Sequence, residues 1–368
     1  MKHFVSQYRL LHIVLGAVFV LFCVPGLGQA QIEQQEFRPM DFAAIGQYDY
    51  EQSRKPLAIV EDNIRIANSQ QKAMIEQQLI GLIESATATL PAKDFACRLL
   101  RRIGTEASIG ALGDALENED TFDMARFALE GMESKEVDAL FRRILKRADG
   151  AYRLGMVSSI ANRGDEKAVR LIARYLDEED MALKEAAIQA LGQIGGDRAL
   201  RELQRSDDIP KSLNPVFYDS LMLCADKYIE MDQEQKAEKL FKKLSGKSYP
   251  DNIRVAAING LVQARGEHVA GTIARLVKDD NPTIRKAAIN EFVTDLSNTE
   301  AAEELIEVMD DVEADTQVLI IKTLVSRNER LAHREIYELT MADEPAVQND
   351  AIRALGKLGD ASYVPHLI

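Results

Sequence analysis

Four stretches of the chain repeat one pattern: LKEAAIQALGQIGGD from Leu183, IRVAAINGLVQARGE from Ile253, IRKAAINEFVTDLSN from Ile284 and VQNDAIRALGKLGDA from Val347. Each is anchored on one apolar residue, namely Ile188, Ile258, Ile289 and Ile352. Weaker copies then fall at Leu100, Leu129, Val157, Met222 and Ile321, at steps of 28 to 36 residues. The residues one before the anchors run Leu99, Ala128, Met156, Ala187, Leu221, Ala257, Ala288, Ile320 and Ala351. Those three after run Ile103, Met132, Ile160, Leu191, Ala225, Leu261, Phe292, Leu324 and Leu355. Both rows are wholly apolar. Positions −1, 0 and +3 share one face of an α-helix, so each copy predicts a helix with a single buried stripe.

A second helical pattern precedes each anchor helix, as in EKAVRLIARYLDEE from Glu166 and EHVAGTIARLVKDD from Glu267. The turn inside each pair is acidic in several copies: Asp177–Asp180, Asp279-Asp280, Asp310-Asp311 and Asp343-Glu344. Pro282 and Pro345 follow two of these turns, where a first helical turn accepts proline. Gly104, Gly164, Gly195, Gly266, Asn328 and Gly359 stand where a helix end wants a left-handed cap. No strand-like alternation and no βαβ rhythm occurs. A helix hairpin of about 30 residues with one apolar stripe cannot stand alone, and stacking supplies its core. The expectation is an all-α, right-handed α-solenoid of about nine stacked hairpins.

The pattern resembles the HEAT-like repeats of the bilin-lyase type, whose consensus reads VRxAAxxALGxIGD. Leu183–Asp197 and Val347–Asp360 are nearest to it. YDYEQSRKPLAIVEDNIR from Tyr48 and DFACRLLRRIGTEASIGAL from Asp94 are similar to the beginnings of secreted bacterial HEAT-repeat proteins. The resemblance implies the solenoid fold. It does not imply one activity, because enzymes, adaptors and scaffolds share the repeat. Some of those secreted relatives carry a sugar-hydrolase-like domain after the repeats. The resemblance therefore also admits the repeat region of a longer exported enzyme acting on carbohydrate.

The ends read differently. Lys2 and Arg9 open a segment whose run from Leu10 to Val24 is apolar apart from His12 and Gly16. Pro25-Gly26 breaks that run, and Gly28-Gln29-Ala30 offers a small-residue cleavage site. This order is that of a secretory signal peptide over 1–30, which implies an exported protein, periplasmic or extracellular. It also implies no membrane span after cleavage and sets aside bilin-lyase activity. Residues 31–52 lack a helical period and read as a flexible arm. Residues 53–90 read as N-terminal capping helices, and 91–368 as the solenoid with its last repeat incomplete. That stop would leave Val364, Leu367 and Ile368 unpartnered, so the expectation is either that the natural chain is longer or that this end associates with another chain, self-association included.

Charge and motifs narrow the function. A formal net charge of −14 repels nucleic acid and anionic lipid. Cys97 and Cys224 fall inside helical patterns and read as buried small hydrophobes. His268, His333 and His366 lie in different repeats without ligand spacing, so no metal is implied. Gly192-x-x-Gly195-Gly196 follows a helix rather than a strand and reads as a repeat turn, not a dinucleotide loop. No catalytic residue and no cofactor are expected. Two features suit a protein partner. One is the acidic edge formed by the turns, which would attract a basic partner or Ca²⁺ unless its acids serve as caps. The other is the row one after the anchors: Arg101, Glu130, Ser158, Gln189, Leu223, Asn259, Asn290, Lys322 and Arg353. All but Leu223 are polar, and the row would run along the exposed, concave face of the anchor helices. The expected function is a non-catalytic interaction scaffold.

Overall fold

The structure, a computed structural model, describes residues 36–206, 209–264, 269–294 and 299–358, the side chains of 292–301 excepted. The expected signal segment, Gly266, His268 and everything from Gly359 onward, including the expected C-terminal association face, lie outside the described residues. Among those described there are helices and turns and no strand.

Nine anchor helices form one column: Leu90–Ile103, Phe122–Glu130, Gly150–Asn162, Met181–Ile194, Asn214–Glu230, Asp251–Ala264, Pro282–Thr294, Ala314–Ser326 and Pro345–Leu358. Each packs on the next from first to last. The helices that precede them are Ser69–Glu84, Ile109–Ala115, Lys135–Leu145, Val169–Ala173, Gly196–Arg205, Glu234–Leu244, Val269–Leu276, Thr299–Glu307 and His333–Glu338. Each folds back on its own anchor helix. Among the described residues the result is an all-α solenoid of nine hairpins.

The apolar rows form the core. Every residue of the −1 row is buried, from Leu99 to Ala351. Seven of the nine anchors are buried too, while Met222 is half-buried. Ile352 departs from expectation and is 42% exposed. Its helix is the last one described, so no described helix covers the face that earlier anchors turn toward the following hairpin. In the +3 row Ile103 is half-buried, the side chain of Phe292 lies outside the described residues, and the other seven are buried.

Helix ends follow their chemistry. Asp180 accepts from the amides of Ala182 and Leu183, and Asn68 forms a capping box with Gln71. Pro282 and Pro345 each open a helix. Gly164, Gly195 and Asn328 adopt left-handed backbone at φ 63, 67 and 57°. Gly104 does not, at φ −62°. Its glycine answers a want of space, since a Cβ there would stand 2.4 Å from the Leu100 carbonyl oxygen. Gly192 is likewise a contact glycine, with Ser220 of the next anchor helix 2.6 Å from where a Cβ would sit.

A third row, four before the anchors, latches five of the hairpins. Arg153 donates to the Ala148 carbonyl (2.8 Å), Arg254 to Ser245 (3.0 Å) and Arg285 to Asp279 (2.9 Å). Gln317 donates to Met309 (3.1 Å) and Gln348 to Thr340 (2.9 Å). In each case a long donor satisfies a carbonyl left open where the preceding helix or its turn ends.

The N-terminal region corrects two expectations. Ser69–Glu84 packs on Ile109–Ala115 as a first helix packs on its successor, so it belongs to the first hairpin and not to a cap. The stretch 36–52, expected as a flexible arm, is built into the fold. It contains the short helix Phe42–Gly46, and Ile45 and Tyr48 are buried. Asn63 clasps the Arg38 backbone with both halves of its amide, at 3.0 and 2.6 Å. The Thr89 amide donates to the Gly46 carbonyl at 2.9 Å. A search for helical period missed this, because two buried side chains and one buried amide do the anchoring.

Candidate interaction surface

The anchor helices carry the +1 row along one side of the column. Ser158, Gln189, Leu223, Asn259, Asn290, Lys322 and Arg353 are exposed, whereas Arg101 and Glu130 are half-buried. The row's ends are engaged within the molecule. Arg101 lies 4.2 Å over the Phe127 ring and donates to the Phe127 carbonyl. Glu130 accepts from Ser159 (2.6 Å) and Asn162 (3.1 Å) of the next anchor helix. Asn162 in turn accepts from Gln193 one repeat further on, at 2.8 Å. Lys322 and Arg353 both pair with Asp350, at 3.3 and 3.4 Å. Toward the middle, the Asn259 amide nitrogen reaches the Glu291 carboxylate at 2.8 Å when oriented to satisfy its neighbours. These ties give the ends a structural use that residue type alone did not reveal. On the fourth to seventh hairpins the row is exposed at four successive positions: Gln189, Leu223, Asn259 and Asn290. Beside it, burial and then the neighbouring Glu230 raise the Asp226 carboxyl above its ordinary range.

Part of the acidic edge is engaged within the molecule: Asp180 caps its helix, as the capping alternative had it, and three further acids are ion-paired. Asp279 forms a buried pair with Arg254 and accepts from the Asn281 amide at 2.9 Å. Asp280 pairs with Lys247, Asp311 with Lys278 (2.5 Å) and Glu313 with Arg285 (3.2 Å). Lys247 holds the Asp280 carboxyl below its usual range, and Asp280 raises Lys247. Each pair joins one hairpin to the next. No group of three or more His, Cys, Asp or Glu placed to hold a metal occurs among the described residues.

Two cavities lie on the seams between hairpins. One, of about 320 Å³, is bordered by Gly195, Gly196 and Asp197. Asp197 accepts from Tyr228 (2.6 Å) and Lys236 (2.8 Å), and these bonds, Lys236 first, hold its carboxyl low. Burial, and then Asp197, push the Tyr228 phenol up. The other, of about 480 Å³, lies between the second and third hairpins. Neither was visible in the sequence, because each is closed by segments about one repeat apart. Cys97 and Cys224 are buried free thiols, both pushed up to about 12, chiefly by burial. They pack as the small hydrophobes their positions implied.

A column of helix hairpins with these rows is a HEAT-type repeat array. Residues 137–210 match the family of HEAT repeats, and 347–368 match the PBS lyase HEAT-like repeat. These two stretches carry HEAT-like repeats. Among solved structures it is similar to an engineered protein at 16% identity, covering 86% of this chain and 98% of that one, with a TM-score of 0.31. It is also similar to human deoxyhypusine hydroxylase in complex with glycerol, at 15% identity, 79% and 96% coverage and a TM-score of 0.30. Likeness to Kap121p is at 10% identity, covering 89% of this chain and 46% of that one, with a TM-score of 0.40. No curated protein matches the chain.

Proposed function

We propose that this HEAT-like repeat array is a non-catalytic scaffold of the periplasm or cell exterior that binds a protein partner along its anchor helices. The binding stretch is the row Gln189, Leu223, Asn259 and Asn290. The supporting observation is that these four exposed side chains stand in one row on four successively stacked helices. Amides flanking an exposed leucine suit a peptide main chain, which offers alternating donors and acceptors along an extended strip. The exported location rests on the basic, apolar and small-residue order of 1–30.

The test is capture from the exporting cell's envelope, with wild type and Gln189→Ala/Asn259→Ala/Asn290→Ala as baits. We expect the triple variant to keep its melting temperature and lose the protein that wild type retains. Undiminished capture of that protein by the triple variant would remove the row from the interface.

A further inference from the structure

The cavity between the second and third hairpins differs in chemistry from the rest of the turn edge. It lies between the turn that follows Ile109–Ala115 and the turn that precedes Gly150–Asn162. Its floor includes Ile144, Phe122 and Tyr152, with the two rings edge-to-face at 4.6 Å. Its rim carries three carboxylates, from Glu117, Glu119 and Asp149. One cation stands among them, Arg147, which lies 3.8 Å from Glu117. Asp149 precedes its helix without the usual side-chain cap bond. Burial, and then the neighbouring Glu119, raise the Tyr152 phenol above its ordinary range.

An apolar, aromatic floor under an excess of carboxylates matches one kind of guest. A lysine or arginine side chain lays its methylene stem on apolar surface and presents its charged head at the rim. An aromatic wall adds attraction for the cation. The chain's net charge of −14 draws such a guest from a distance and gives a neutral sugar no such advantage. We propose that this cavity receives a lysine or arginine side chain from a basic segment of a partner protein. The site is separate from the row on the anchor helices, so either can fail without the other.

The probe is N-acetyl-lysine amide, titrated into the full chain by ligand-observed NMR, with N-acetyl-norleucine amide as its uncharged match. We expect the lysine probe to bind and the norleucine probe not to. Glu119→Gln/Asp149→Asn, both exposed, should weaken binding about tenfold, and Tyr152→Leu by a similar factor. Glu178→Gln/Glu179→Gln removes the same charge from another exposed turn and should change affinity less than about twofold. Should Tyr152→Leu lower the melting temperature, the carboxamide pair alone decides. Equal losses in the two charge-matched variants would show attraction to the whole acidic chain and overturn the site. So would equal binding of norleucine, displacement of lysine by cellotetraose, or no lysine binding to wild type.

Discussion

Ile188 and Gln189 are neighbours with opposite fates. Ile188 is wholly buried between hairpins, while Gln189 is exposed on the same helix. An aspartate at Ile188 would place an unpaired carboxylate in apolar packing, at a cost of several kcal/mol. The same residue at Gln189 should stay within about 0.5 kcal/mol of wild type. Urea unfolding of Ile188→Asp and Gln189→Asp checks this, and equal midpoints would refute the assigned register. Glycine shows a similar division of labour by position. Gly195 is needed for its left-handed backbone, but Gly192 is needed because Ser220 fills the place of its side chain.

At the scale of elements, the hairpins are held by latches within and ties between. Arg254 does both, bonding the Ser245 carbonyl of its own hairpin and the Asp279 carboxylate of the next. Both partners of the ion pair are nearly inaccessible, with side chains 5 and 6% exposed. Removing one strands the other, so Arg254→Met should cost about 3–5 kcal/mol. Adding Asp279→Asn should restore part of that loss. A double-mutant cycle showing simple additivity would mean that the pair carries no coupling. This element-scale picture was only half legible in the sequence. The apolar rows could be read because a buried stripe recurs at helical spacing, and each of the nine anchors falls inside one of the nine described anchor helices. The latch row could not, since Arg153, Arg254, Arg285, Gln317 and Gln348 look like solvent-facing polar residues until the preceding turn is brought above them. The candidate row was legible in its exposure but not in its ties, because Glu130 and Ser159 meet only through stacking.

Across the whole molecule, stability is a sum of hairpins and the seams between neighbours. Damage should therefore stay local. Ile289→Asp places its carboxylate on the seam around Pro282–Thr294, where Ile289 is 2% exposed. We expect amide hydrogen exchange to quicken in Asp251–Ala264, Pro282–Thr294 and Ala314–Ser326 while protection persists in Leu90–Ile103 and Phe122–Glu130. Uniform loss of protection along the chain would show a single cooperative block instead.

The ties between hairpins also bear on how such a chain reaches its fold. Glu130 finds Ser159, Arg142 finds Asp165 and Arg254 finds Asp279, 29, 23 and 25 residues downstream. Even the clasp from Thr89 back to the Tyr48 carbonyl spans only 41. In none of these must a side chain wait for a partner from the far end of the polypeptide, and low sequence separation of contacts favours rapid folding. Each hairpin can close on the one already formed as it emerges, whether from a ribosome or from a translocation pore. The growing end then offers the next hairpin a finished template, and the molecule assembles in the order in which it is delivered.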